Sequence, residues 1–126
     1  MEPFVIKSYL YDFYGELLND HQRRIYKEIN FNDYSAAEVA RDEGISRQGV
    51  HDLMKRCDRL LEEYEDRLHL VERFIRIRDK VQRIEILTVE DSPETIQNRT
   101  ENSREENSLL RMREIRELSR SILEEL

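Results

Sequence analysis

The chain has 126 residues, 38% of them apolar and 39% charged, with a formal net charge of −7. That length fits one domain, or one domain with an appendage. The acidic total argues against a protein that coats nucleic acid indiscriminately, but it leaves room for a local basic face, because phosphate contacts act over a Debye length of about 8–10 Å.

No run approaches about 18 apolar residues, so no membrane span is expected. MEPFVIKSYLYDFYGELL lacks the basic start and the small-residue cleavage site of a secretory signal, which makes a cytoplasmic chain the expectation. One cysteine, Cys57, excludes an internal disulfide and a CxxC metal site. Three glycines and two prolines are few chain breakers, so long helices are expected.

In chain order, Ile6, Tyr9, Leu10, Phe13 and Leu17 recur at helical spacing and predict one buried face on a helix of about four turns. Asn19 or Asp20 can cap a second helix with apolar positions Ile25, Tyr26 and Ile29, which ends in the turn chemistry of NFND, 30–33. Ser35 opens S-A-A-E, a capping box with Glu38. The short helix that follows closes at Gly44, a residue that tolerates the left-handed turn, and Ser46 caps the next.

From Ser46 to about Glu90 only Gly49 interrupts the helical pattern. A single helix of about 45 residues would reach roughly 65 Å, too long for a compact domain of this size. Cys57, Leu61, Tyr64, Leu68, Val71 and Ile75 form a heptad-like seam, and the stripe then shifts to Phe74, Ile77, Val81, Ile84 and Thr88. A bend or break is therefore expected between about Glu65 and Phe74. DSPETIQNRTENSREENS, 91–108, has one apolar residue and reads as a linker, with a second capping box at Ser103–Glu106. Met112, Ile115, Leu118, Ile122 and Leu126 line a closing amphipathic helix. The predicted organisation is a helical domain over 1–57 with a helix-turn-helix at 35–57. A long helical, dimerising segment spans 58–90, a linker 91–107 and a C-terminal helix 108–126.

A helix-turn-helix needs a small residue where its helices meet, a turn residue that accepts positive φ, and an apolar anchor in the second helix. Ala40, Gly44 and Val50 stand at the required spacings; Val39, Ile45 and Leu53 supply the apolar positions, with Ile45 expected to plug the corner. The outward positions are then Ser46, Arg47, Gln48, His51, Asp52 and Lys55, with Arg56 on the flank. Arginine to guanine, glutamine to adenine and a capping serine to phosphate are known pairings. Residues 35–57 nevertheless carry four basic and four acidic side chains, a neutral balance that weakens the counterion-release contribution to affinity and keeps a merely solvated helix face in play.

The more basic stretch is RFIRIRDKVQR, 73–83, with five positive residues against Asp79. Arg73, Arg76, Lys80 and Arg83 make it a second candidate surface for nucleic acid or an acidic partner. The alternative is a salt-bridged exposed helix. No catalytic constellation is present: His21, His51 and His69 are scattered, no GxxxxGK, GxGxxG or GxSxG occurs, and Cys57 lies on the apolar seam as a small core residue rather than a nucleophile. No enzyme activity, cofactor or metal site is expected.

YLYDFYGELLNDHQ (9–22), DYSAAEVARDEGISRQGVHDLMKRC (33–57) and LLEEYEDRLHL (60–70) resemble the YlxM family, small bacterial helix-turn-helix proteins related to region 4 of sigma factors. The likeness covers about residues 9–75 and carries over Ser46-Arg47-Gln48, Val50, Asp52 and Lys55-Arg56 as the motif proper. Gly49 stands where the family usually has alanine, at a helix-propensity cost of about 1 kcal/mol, and His51 where tyrosine is expected. The resemblance implies an all-α fold with a sigma region 4-like helix-turn-helix bundle and long C-terminal helices. It also implies a homodimer through the helices after the motif, whose seam would be Leu61, Tyr64, Leu68, Val71 and Ile75. It further implies a regulatory accessory of the signal recognition particle, acting on the particle's RNA or GTPase. The alternatives are a transcription regulator that reads promoter-like DNA through Arg47, Gln48 and His51, and a purely structural interaction module.

Overall fold

The computed structural model describes residues 2–89 and 101–126, and the chain divides into two units, Met1–Val71 and Glu72–Leu126. Among the described residues there are six α-helices and no strand: α1 (Pro3–Tyr14), α2 (Asp20–Phe31), α3 (Ala36–Glu43), α4 (Arg47–Leu68), α5 (Leu70–Thr88) and α6 (Glu101–Glu125), with a 3₁₀ turn at Gly15–Leu17. The fold is all-α.

Helix α1 starts at Pro3, whose fixed φ suits a first helical turn. It is shorter than the periodicity predicts, and its buried face is turned. Tyr14 and Leu18 are buried, whereas Ile6, Phe13 and Leu17 are exposed. The 3₁₀ turn changes the helical phase after Tyr14. The packed side of α1 is set by Tyr11, whose ring stacks on Tyr26 of α2 with centroids 5.6 Å apart.

The complete capping box is the one that opens α2. The amide of Gln22 donates to the Asn19 side chain at 2.8 Å, and the amide of Asn19 donates to Gln22 Oε1 at 3.1 Å. The predicted box at Ser35 is half formed, with the Glu38 amide on Ser35 Oγ at 3.1 Å while the hydroxyl faces the Glu38 carboxylate at 3.2 Å.

Between α2, α3 and α4 lies one buried cluster, Ile25, Val39, Ala40 and Val50, with Ile29, Ala36, Leu53 and Met54 packed around it. The small residue and the anchor of the helix-turn-helix thus meet as their spacing predicts. Gly44 ends α3 at φ 69°, and the Ile45 amide turns back to the Ala40 carbonyl at 3.0 Å. Ile45 itself does not plug the corner; it is 36% exposed. A Cβ at Gly44 would have nothing within 4 Å, so a side chain there meets only backbone strain. Gly44→Ala should therefore lower stability by about 1–2 kcal/mol, and Gly44→Asn by less, read as a shift in urea midpoint at constant slope.

The predicted break falls at His69, which adopts a left-handed φ of 56° and ends α4 with its amide on the Glu65 carbonyl at 2.9 Å. The start of α5 needs acceptors for its first amides. Glu65 Oε1 accepts from the Val71 amide at 2.9 Å, and Tyr14 Oη accepts from the Leu70 amide at 3.2 Å. The Tyr14 hydroxyl in turn donates to Glu65 Oε1 at 2.5 Å. One glutamate and one tyrosine therefore specify where the helix stops and restarts.

In the second unit, Arg76 pairs with Glu125, Lys80 with Ser121 and Arg83 with Glu114. The order of these partners makes α5 and α6 an antiparallel hairpin. Ile77, Ile84 and Leu87 of α5 and Ile115, Leu118 and Ile122 of α6 are half-buried, while Val81, Met112 and Leu126 of the predicted stripes are exposed. The predicted boundaries shift accordingly. Helix α4 runs unbroken through residue 57, because Cys57 and Leu61 belong to the same buried stripe as Val50, and the units divide at Val71 instead. Residues 101–107 are helical rather than linker, and Ser103 lies inside α6. Polar turns can extend a helix whose apolar stripe is anchored further along. The remainder of the predicted linker, 91–100, lies outside the described residues.

Candidate nucleic-acid interface

Ser46 sets the N-terminus of α4 by accepting from the Gly49 amide at 2.9 Å. A Cβ on Gly49 would stand 3.2 Å from that oxygen, so the glycine leaves the cap uncrowded. With Val50, Cys57 and Leu61 turned inward, the opposite side of α4 presents Arg47, Gln48, His51, Asp52, Lys55 and Arg56, all exposed. Gln48 donates its Nε2 to Asp52 Oδ1 at 2.9 Å, so bidentate contact with an adenine edge would require it to leave Asp52.

Two residues outside the sequence-derived set change the charge of this face. Arg59 is exposed one turn beyond Lys55, a position that i,i+4 spacing makes visible once the helix is known to continue. Arg24 of α2 grips Glu43 with Nε at 3.0 Å and Nη2 at 2.8 Å, and His21 lies 3.4 Å from the same carboxylate. The Arg24 hydrogen bonds hold the Glu43 carboxyl below the usual carboxylate range. The acid that helps make 35–57 neutral is therefore already matched by α2. Among the described residues, Arg41, Arg47, Lys55, Arg56 and Arg59 form no ion pair, and neither do the exposed acids Glu38, Asp42 and Asp52, so cations are in modest excess on the helix-turn-helix surface.

The second candidate surface differs. Arg76 holds Glu72 at 3.0 Å and Glu125 at 2.8 Å, Lys80 lies 3.1 Å from Glu125, and Arg83 lies 3.0 Å from Glu114. Arg73 is exposed. The stretch 73–83 is thus a salt-bridged helix in which three of the four named cations are matched by acids, chiefly from α6. The dimer seam is likewise altered: Leu61 and Val71 are buried inside the chain, Tyr64 and Ile75 are half-buried, and only Leu68 is openly exposed. The left-handed turn at His69 interrupts the heptad register on which the seam was read.

No helix among the described residues is long and apolar enough to cross a membrane. A family model, UPF0122, described as the YlxM / p13-like helix-turn-helix protein, matches residues 1–103. A UPF0122 protein of Thermoanaerobacter sp. strain X514 is 45% identical over 83 residues, 66% of this chain and 71% of that protein. A UPF0122 protein of Caldanaerobacter subterraneus is 43% identical over 83 residues with the same coverage. One from Geobacillus kaustophilus is 37% identical over 84 residues, 67% of this chain and 76% of its own. A helix-turn-helix family implies nucleic-acid binding. With the motif's core and its outward face both in place, this chain belongs to the UPF0122 family of YlxM / p13-like helix-turn-helix proteins.

Proposed function

We propose that this chain is a non-enzymatic regulatory protein of the signal recognition particle pathway that binds the particle's RNA through the outward face of α4. The observation that carries the nucleic-acid contact is the set of cations Arg47, Lys55, Arg56 and Arg59, without an ion pair among the described residues, on the exposed side of a capped recognition helix. Such a face exchanges its counterions for phosphates, and Ser46 caps a helix N-terminus suited to an anion. The choice of the targeting particle comes from the resemblance to the YlxM family. A second reading, duplex DNA, is favoured by one feature: Arg47 and Gln48 occupy the first turn of the recognition helix, from which base edges in a major groove are reached.

The test is a titration against the reconstituted particle, its RNA alone and random duplex DNA, at about 50 mM and 200 mM salt. Preference for the particle and its RNA over DNA, weakened at least tenfold by Arg47→Ala with Lys55→Ala, is the expected result. Binding to DNA alone selects the second reading, and binding to the particle but to neither nucleic acid selects its GTPase. If Arg47→Ala with Gln48→Ala leaves every affinity unchanged, α4 is not the contact surface. The same reading includes a homodimer, and a monomer by sedimentation at tens of micromolar removes it.

A further inference from the structure

We propose that α6 covers a second phosphate-binding face, formed by Arg76, Lys80 and Arg83 of α5, and that nucleic-acid backbone competes with α6 for it. The inference takes its ligand class from the reading above but concerns a different unit of the chain. The three cations stand at steps of four and three, which puts them on one side of α5 over about 10 Å of axis. In the structure each is engaged by an oxygen of α6: Arg76 Nε by Glu125 Oε1 at 2.8 Å, Lys80 Nζ by Ser121 Oγ at 2.8 Å, and Arg83 Nε by Glu114 Oε1 at 3.0 Å. Two carboxylates and a hydroxyl thus stand where phosphate oxygens would.

The cover is one that a ligand can displace. The Arg83–Glu114 pair is about half exposed on both sides and therefore screened and weak, whereas Glu125, 20% exposed between Arg76 and Lys80, is the firmer hold that a ligand must replace. Among the described residues no side chain of α6 is fully buried, so no closed core locks it down. The family match supplies an independent observation. It includes all of α5 but stops at residue 103, so Glu114, Ser121 and Glu125 lie beyond it. The positions of the cations lie in the part of the chain that the family model matches, and their cover lies in a segment beyond it.

The test uses full-length chain with Arg47, Lys55, Arg56 and Arg59 replaced by alanine, so that binding through α4 is removed. Labelled duplexes of about 20 base pairs, one DNA and one RNA, are titrated by fluorescence anisotropy at two salt concentrations. Glu114→Gln with Glu125→Gln should tighten binding about tenfold at low salt and steepen the salt slope by about two to three. Glu117→Gln with Glu124→Gln, exposed α6 glutamates without ion pairs among the described residues, makes the same charge change and should gain about twofold at most. Adding Arg76→Ala, Lys80→Ala and Arg83→Ala to the first pair should cancel its gain, whether or not circular dichroism shows α6 still helical. A gain on either duplex supports the cover, and the larger gain names the preferred backbone. Equal gains from both glutamate pairs, no gain from the first, or a gain that survives the alanines overturns it. Loss of binding by Arg47→Ala in the otherwise intact chain is a separate reading, so failure here leaves the role of α4 standing.

Discussion

Val50→Asp is expected to abolish the cooperative unfolding transition of the first unit. Val50 is fully buried among Ile25, Val39 and Ala40, where three helices meet. Among the described residues the core contains no buried polar or charged side chain, so nothing there can pair with a carboxylate. An unpaired buried charge costs on the order of 3–5 kcal/mol, against about 4–10 kcal/mol for a domain of this size. Val50→Ala, by contrast, removes two methyl groups and a little packing, about 2 kcal/mol. It should keep a cooperative transition at a lower midpoint. Thermal melts followed by far-ultraviolet circular dichroism distinguish the two, and an aspartate variant that melts like the parent would place the core elsewhere.

The second large effect is alkaline. Burial, reinforced by the hydrogen bond to Glu65, pushes the Tyr14 hydroxyl up to about 12. Burial and the hydrogen bond to Asp58 push Tyr26 in the same direction. A raised tyrosine keeps its proton in the folded chain after the unfolded chain has lost it. The resulting stability is complete below about pH 10 and is lost as pH rises towards 12 for Tyr14. In that window each such tyrosine contributes a slope of about 1.4 kcal/mol per pH unit. Tyr14→Phe with Tyr26→Phe should therefore be less stable than the parent at neutral pH, since Glu65 and Asp58 each lose a donor. It should also fall less steeply above pH 10. Parallel stability curves for the two proteins would refute the assignment.

What the sequence makes legible is what neighbours along the chain decide. Ala40, Gly44 and Val50 identify the helix-turn-helix because helical periodicity and a left-handed glycine are local properties. The exposed face of α4 follows from the same periodicity. The break was bounded by a shift in the apolar stripe, but its position at His69 depends on Tyr14, 51 residues from Glu65 along the chain. The buried side of α1 is illegible for the same reason, since Tyr14 looks like one aromatic among several until its distant partner is known. Charge was the least legible property. Glu43 is neutralised by Arg24, 19 residues away, and the cations of α5 by residues 31 to 49 away. A count of charges over a window of sequence cannot see pairs that the fold makes.

Cys57 offers a practical consequence. It is the chain's only cysteine, it is fully buried, and burial raises its thiol to about 11. At neutral pH the unreactive thiol form dominates, and the fold shields it. The native cysteine is therefore expected to react slowly with thiol-directed reagents while the chain is folded. A cysteine introduced at an exposed position, such as Gln48 on α4 or Glu117 on α6, can take a fluorophore or spin label by itself, without first removing the native one.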